Sequence, residues 1–160
     1  MPLECALDYE GSLGIVGGNT KAGREDTSVV IQANHSIYRP TDSQTGLFTG
    51  ARVHGAFCLI KEQDEASPLL FKACSLNEEM PSITIRWYRV DDATGTEVPY
   101  YEHTLTNAKV SKITTILPNT KDKGEEQKVH LEEVEFRYEQ IMWTELDNNI
   151  THTDSWAVAS

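Results

Sequence analysis

The sequence predicts a mainly β protein, a sandwich or barrel with a single α-helix. Short segments alternate apolar and polar residues with a period of two, which is typical of half-buried strands. Turn formers such as Asp91–Thr96 and Asp147–Asn149 separate these segments at regular intervals. Helical spacing of apolar residues occurs in one segment, about Pro68–Leu76. At 160 residues the chain has the length of one domain.

Three strands are predicted before the helix. The first, Leu3–Glu10, leads into a glycine-rich loop at Gly11–Gly23, and the third covers Val53–Lys61. In the second, Ser28–Tyr38, the alternation predicts two different faces. Its apolar face carries Val29, Ile31, Ala33 and Ile37, with His35 on the same side, and its polar face carries Gln32, Asn34 and Ser36.

Between the second and third strands lies a long polar segment, Arg39–Arg52, which is rich in turn formers. Loops of this length without secondary structure are uncommon and are often functional. Leu47 and Phe48 lie near its tip, and exposed apolar residues on a protruding loop indicate docking onto another surface. The alternative, in which both side chains fold back onto the domain, stays open.

The predicted helix has recognisable start and stop residues. Ser67 is the expected N-cap, and Pro68 suits the first helical position. Leu69, Ala73 and Leu76 form an apolar stripe, and Met80-Pro81 is expected to end the helix.

The second half of the chain is a series of strands. Three are predicted at Ile83–Val90, Val98–Thr106 and Lys109–Leu117, and a charged loop follows at Pro118–Lys128. The last is predicted at Ile150–Trp156.

One predicted strand changes its phase. Val134, Phe136 and Tyr138 share one face, but Ile141 and Trp143 continue in the opposite phase. A β-bulge near Glu139-Gln140 accounts for the change.

Composition excludes several classes of partner and compartment. The formal net charge is -11, which repels nucleic acid and anionic membranes. The three cysteines, Cys5, Cys58 and Cys74, are an odd number without close spacing and are expected to be free thiols in a reducing compartment. We expect no membrane insertion and no conventional signal peptide, because the chain has neither a long apolar run nor a basic apolar N-terminus.

No set of residues predicts catalysis, a metal site or a cofactor. The cysteines have apolar neighbours and no catalytic partner. The histidines occur singly, without metal-ligand spacing, at positions 35, 54, 103, 130 and 152. Gly11–Gly18 lacks the spacing and context of a dinucleotide loop. In Arg86–Arg89 the alternation places Trp87 in the core and not on an RNA-stacking platform.

Several motifs, in order along almost the whole chain, resemble one family. They are Tyr38-x-Pro40-Thr41-Asp42-x-x-Thr45-Gly46-x-x-x-Gly50-x-Arg52-x-His54-x-x-Phe57, Ser67-Pro68-Leu69-Leu70-Phe71-x-Ala73, Trp87-Tyr88-Arg89, Ile141-x-Trp143-Thr144 and Asp154-Ser155-Trp156. The sequence resembles the haemolysin-coregulated protein (Hcp) family of type VI secretion. It departs from the family's pattern at Gly11–Gly23.

The resemblance implies a compact β-barrel of two antiparallel sheets with one flanking α-helix, at about Pro68–Leu76. It also implies a homohexameric ring, stacking of rings into a tube inside a contractile sheath, and expulsion of the tube with its spike. Small effectors are expected as passengers in the lumen. A single domain over residues 1–160, without a fused effector domain, is expected, as is secretion from the cytoplasm without a cleaved signal peptide.

The resemblance also suggests two sets of functional residues. We expect the ring-to-ring contact in the long loop, at Asp42, Leu47, Phe48 and Thr49. We expect the lumen wall on the polar face of the second strand, at Gln32, Asn34 and Ser36. The alternative function is a monomeric β-sandwich that binds a sugar or a peptide, and exposed aromatic residues on a concave patch would favour it. A hydrolase is the weakest alternative, because the sequence lacks a nucleophile and base pair.

Overall fold

A computed structural model of the chain describes residues 2–119, 121–122 and 130–156. It contains ten strands, one α-helix (α1) and one short 3-10 turn. The strands are β1 (Pro2–Asp8), β2 (Ser28–Asn34), β3 (Ile37–Tyr38), β4 (Val53–His54), β5 (Phe57–Glu62), β6 (Met80–Val90), β7 (Glu97–Ile116), β8 (Leu131–Arg137), β9 (Gln140–Glu145) and β10 (Ile150–Ser155). The helix α1 covers Ser67–Leu76, and the 3-10 turn covers Ser12–Gly14.

Six strands close into a barrel in the order β7-β6-β1-β2-β5-β8, because β8 pairs with β5 along one edge and with β7 along the other. All described pairings are antiparallel. β9 and β10 extend the sheet beside the first half of β7. The mainly β barrel with one helix is therefore confirmed, although its strands form one continuous eight-stranded sheet and a separate two-stranded sheet.

The barrel interior is the hydrophobic core. Buried side chains from all six barrel strands and from β9 meet there, with α1 packed against β7 and adding Leu70 and Ala73. The strand residues include Leu7, Val30, Phe57, Ile83, Leu105, Phe136 and Ile141. Along β5 and β8 every second side chain is buried, as the alternation of inward and outward residues in a barrel requires.

The predicted apolar face of β2 is wrong at Val29 and Ile31 and correct at Ala33, which packs against the core. Val30 is buried, whereas Ile31 is 50% exposed. The register with β5 shifts between Val30 and Gln32, so Ile31 is the extra residue of a β-bulge. The strand also ends at Asn34, and the predicted strand Ser28–Tyr38 is therefore two strands, β2 and β3.

Other strand boundaries differ from the prediction as well. The predicted third strand is divided into β4 and β5, and two predicted strands join into the 20-residue β7. β6 begins at Met80, which pairs with Ala108, so Met80-Pro81 starts a strand and does not end the helix. The predicted loop Pro118–Lys128 falls largely outside the described residues.

The helix has its expected range, but its ends and its stripe differ. Its N-cap is Ala66 and its first residue is Ser67, so Pro68 takes the second helical position and not the first. The Ser67 hydroxyl donates a hydrogen bond to Glu132 inside the core and does not cap the helix. It ends at Leu76, where Asn77 takes a left-handed conformation with φ 54°. Leu70 is buried in place of Leu76, which is 63% exposed.

The predicted bulge at Glu139-Gln140 is a phase change in two strands at once. Thr106 faces Gln140, and the next described pair is Lys109 with Arg137. Between these two pairs each strand contains the same number of residues, so the register is kept. On β7 the change falls at Asn107, which has a φ of 52°. The phase change was predicted correctly, but it needs no extra residue.

The glycine-rich segment folds against the barrel. Its continuation brings the Arg24 guanidinium over the Tyr88 ring, 3.6 Å from the ring centroid, and Arg24 forms an ion pair with Glu97. Gly17 is required there, because a Cβ atom at this position would lie 2.3 Å from the carbonyl of Thr27. The sequence did not predict a role for Gly11–Gly23; in the structure, the residue that follows it, Arg24, covers the Tyr88 ring.

Candidate functional site

The two-stranded sheet and its connecting loop form a projection, residues 37–54, which we call the arm. Ile37 pairs with His54 and Tyr38 with Val53, and the described pairings do not join β3 or β4 to the main sheet. An isolated bridge between Thr41 and Phe48 continues the pairing outward. The long loop is therefore an ordered hairpin.

The four predicted loop residues meet at the tip of the arm. The Asp42 amide donates to the Leu47 carbonyl at 2.8 Å, and the Thr49 amide donates to the Pro40 carbonyl at 2.9 Å. The Asp42 carboxylate accepts the Gln44 amide at 2.8 Å. This bonding fixes a compact turn in which Leu47 is 68% and Phe48 is 70% exposed. Neither apolar side chain folds back onto the domain.

The root of the arm is tied to β10. The Arg52 guanidinium donates to the Asp154 carboxylate at 2.7 Å and to the Ser155 carbonyl at 3.0 Å. Because these bonds span a hundred residues of sequence, sequence analysis did not find them.

Two histidines hold the two strands of the arm at the same hydroxyl. His35, which lies between β2 and β3, places Nε2 2.8 Å from the Tyr138 oxygen. His54, on β4, places Nδ1 2.7 Å from that oxygen, and its Nε2 lies 2.8 Å from Asp154 Oδ2. We call His35, His54, Tyr138 and Asp154 the histidine clasp. The sequence places His35 correctly on the apolar side, but does not predict this contact.

The clasp has the electrostatics of a buried polar site. The hydrogen bond from Arg52, with a further one from His54, lowers the pKa of Asp154 to about 2. Burial lowers the pKa of His35 to about 4, with a contribution from His54. Burial also raises the pKa of the Tyr138 hydroxyl well above its usual range. At neutral pH the clasp therefore holds a carboxylate, a neutral His35 and a neutral tyrosine.

Two of the three predicted lumen residues lie together. Gln32 and Asn34 are exposed on β2, opposite Ile60 and Cys58 of β5. With Glu133 they line a shallow groove of about 210 Å³. The third, Ser36, is exposed but lies beyond the end of β2, where its carbonyl accepts the Gly55 amide at 2.9 Å. Its place is therefore at the root of the arm.

A buried ionic cluster joins the helix to the barrel. The Lys61 ammonium has no exposed surface and pairs with Glu132, its direct cross-strand neighbour, and with Asp64 at 2.9 Å. The Ser67 hydroxyl donates to Glu132 at 2.6 Å, and the Ser28 hydroxyl donates to Asp64 at 2.6 Å. Sequence analysis missed this cluster, although Lys61 and Glu132 both occupy inward positions in the alternation.

The described ranges contain no arrangement typical of a metal site. No group of three or more histidine, cysteine, aspartate and glutamate residues there could hold a metal ion. No helix in this part of the chain is long and apolar enough to cross a membrane. Trp87 packs against the core, as predicted, and so do Trp143 and Trp156. The clearest outward features are thus the arm and the groove.

The chain has relatives among known proteins, in sequence and in fold. Residues 7–144 match a family model described as type VI secretion system effector, Hcp. The chain belongs to the Hcp family. The Major exported protein of Pseudomonas aeruginosa is a relative in sequence. It is 37% identical over 141 residues, which cover 88% of this chain and 81% of that protein.

Solved Hcp structures share the fold. A double mutant of Hcp1 from the E. coli EAEC 042 pathovar is 37% identical, with a TM-score of 0.82 and coverage of 98% of this chain and 99% of that one. The secreted protein Hcp3 from Pseudomonas aeruginosa is 28% identical, with a TM-score of 0.71 and coverage of 98% and 99%. Hcp is a family of secreted structural tube proteins and not a family of enzymes.

Proposed function

We propose that this Hcp chain assembles into homohexameric rings that stack into the inner tube of a type VI secretion system. The tube lies inside the contractile sheath, is expelled with the spike, and carries small effectors in its lumen. Family membership supports the role of a tube subunit. The arm, which presents Leu47 and Phe48 to solvent, is the observation that carries the proposal of stacking.

The energetics of the arm favour a contact with another molecule. Burying a large apolar side chain contributes about 1.5–3 kcal/mol, and each arm offers two. The bonded turn and the tie to Asp154 hold these side chains in place before contact, which lowers the entropic cost of docking. In a ring, six such contacts act together, so a weak single contact gives a stable stack.

The groove on β2 and β5 supports a role in holding passengers. Gln32 and Asn34 are uncharged hydrogen-bonding groups, with Ile60 beside them. A mixed polar and apolar wall of this kind gives weak and reversible contacts. Such contacts suit a cargo that has to be released again. We assign these two residues to the lumen wall.

Assembly before secretion fits the cysteine chemistry. Cys5, Cys58 and Cys74 are free thiols, which persist in a reducing compartment. Burial raises the pKa of Cys5 to about 11, so this thiol is unreactive at neutral pH. We therefore place ring assembly in the bacterial cytoplasm, before secretion.

The first experiment is the absolute mass of the purified protein, measured by light scattering on a sizing column under reducing conditions. A hexamer has six times the 17.9 kDa of the chain. A monomeric mass over a wide range of concentrations would contradict the ring.

The second experiment tests the arm. Replacing Leu47 and Phe48 together with aspartate should leave the mass of the ring unchanged and abolish stacking in electron micrographs, because charged side chains cannot be buried without a partner. The control is Leu117→Asp, which changes an equally exposed leucine (65%) outside the arm. Dissociation of the rings themselves in the arm variant would overturn the assignment of the arm to stacking.

A further inference from the structure

The histidine clasp is a continuous chain of hydrogen bonds. Asp154 is ionised at neutral pH and accepts the Nε2 proton of His54. His54 Nδ1 and His35 Nε2 both lie within hydrogen-bond distance of the Tyr138 oxygen. The Gly55 carbonyl lies 3.4 Å from the same oxygen. The chain of bonds runs from His35 through Tyr138 and His54 to Asp154.

The position of the clasp gives it control over the arm. His35 lies two residues before the first strand of the arm, and His54 belongs to the second. Both rings contact Tyr138, and their centroids lie 5.8 Å and 5.5 Å from its ring centroid. Tyr138 itself is buried between β8 and β9. The two roots of the arm are therefore held at one side chain of the barrel.

Among the described residues, no carboxylate is in direct contact with His35 to balance the charge of an imidazolium ring. Its ring stacks on Phe57 of β5 at 5.4 Å and approaches Trp143 of β9 at 6.0 Å. The titratable groups that face it are His103 of β7, His54 of β4 and Tyr138. Asp154 of β10 is reached only through His54, and it also binds Arg52. Among these contacts, protonated His35 gains repulsion and loses hydration, so it is more stable outside the clasp.

We propose that the histidine clasp is an acid-sensitive latch of the arm, in which protonation of His35 releases the root of the arm and separates stacked rings. The proposal rests on the proposed role of the arm in stacking. His35 leaves its place against Phe57 for water, and the β3–β4 hairpin loses its attachment through His35 while those through His54 and Arg52 remain. The barrel strands stay paired, because opening a projection costs less free energy than opening a closed sheet.

The size of the effect follows from proton linkage. The pKa of His35 is about 4 in the closed clasp and has its ordinary value of 6.5 when the arm is open. Because the open state binds the proton more tightly, acid favours opening. Between pH 7.5 and pH 5 one such group raises the opening equilibrium about thirtyfold. Most of the rise occurs between pH 6.5 and pH 4.

Hydrogen exchange on isolated rings tests the latch independently of stacking. The reporter is the amide of Gly55, which donates to the Ser36 carbonyl at the root of the arm. After correction for intrinsic exchange, its opening should increase about thirtyfold from pH 7.5 to pH 5. The amides of β7 exchange through unfolding of the barrel, so they should remain far better protected than the Gly55 amide at both pH values. An unchanged Gly55 amide, or one that exchanges no faster than the β7 amides, would overturn the proposal.

Variants separate the clasp from general acid effects. His35→Gln keeps a donor toward Tyr138 but does not titrate, so its arm should open to the same extent at both pH values. The control is His130→Gln, which removes an exposed histidine and should keep the wild-type response. A wild-type response in His35→Gln would refute the latch.

A second variant and a second readout complete the test. Tyr138→Phe keeps the ring but removes the shared hydroxyl, so arm exchange should already be faster at pH 7.5; wild-type protection in this variant would refute the clasp. Stack length by light scattering should fall over the same pH range in wild type and persist in His35→Gln. If rings fail to stack even at pH 7.5, the proposed function fails, while hydrogen exchange still decides the latch.

Discussion

At the scale of single residues, the least expected feature is a lysine at an interior position. Alternation along β5 places Phe57, Leu59 and Lys61 on the inward face, and all three are buried. Lys61 is tolerated there because Glu132 lies directly opposite on β8. A buried ion pair is costly to form, but removing one partner leaves the other as an unpaired charge in the core.

Lys61→Met should therefore destabilise the chain by about 3–5 kcal/mol, measured by urea unfolding. Adding Glu132→Leu to this variant should restore much of the loss, since the buried Glu132 carboxylate is removed and Asp64 keeps its hydrogen bonds from Ser28 and Ala66. The matched control is Arg89→Ala, which breaks the exposed pair with Asp147 and should cost less than about 1 kcal/mol. Equal losses in the two single variants would show that Lys61 is not an interior ion.

A second residue-scale prediction concerns His103, which is buried between aromatic rings of Phe57 and Trp87. Burial lowers its pKa to about 4, with a contribution from His35. The unfolded chain binds the proton more tightly, so stability present above pH 6.5 is lost as the pH falls toward 4, by a few kcal/mol. His103→Phe should reduce this loss, measured by urea unfolding at several pH values. His152→Gln, at an exposed position, should behave like wild type.

At the scale of elements, the alternation in sequence predicted most strands but not where they stop. It predicted the phase change after Tyr138, yet not that β7 changes phase opposite it at Asn107. The bulge at Ile31 was also missed. Val29 and Ile31 fit an unbroken alternation, and nothing in the sequence shows that Val30 is the residue that is buried. Tertiary pairing decides between such patterns, and pairing partners are distant in sequence.

Asn107 gives a prediction at this scale. Its φ of 52° suits asparagine and glycine, and its side-chain amide donates to Glu139. Asn107→Gly should change stability by less than about 1 kcal/mol, whereas Asn107→Val should cost about 1–3 kcal/mol because a β-branched residue is strained there. Thermal unfolding measures both. Thr114→Val, at an exposed position on β7, is the control, and a similar loss there would exclude backbone strain as the cause.

At the scale of the whole molecule, the sequence predicted a mainly β barrel with one helix, and that prediction is confirmed. Leu47 and Phe48 were identified from their apolar character in a polar segment. Neither the clasp nor the tie from Arg52 to Asp154 was predictable, because both depend on the approach of chain segments about a hundred residues apart. Patterns of period two report which face a residue occupies, and not which strand it meets.

The assembled molecule also allows a test of the lumen. Asn34→Trp places a bulky ring in the groove with Gln32 and Ile60 and should reduce the amount of effector that co-purifies, with an unchanged hexamer mass. The control is Ile150→Trp at an exposed position on β10. Unchanged cargo with Asn34→Trp would remove this residue from the lumen wall.

The closure of the barrel by β8 also sets the order in which a newly made chain is able to fold. Until Arg137 has left the ribosome, β5 and the second half of β7 both lack the strand that joins them. Such distant pairing makes folding slow and leaves strand edges open to other nascent chains. The barrel therefore closes only when β8 pairs, and chaperone contact is most useful before that step.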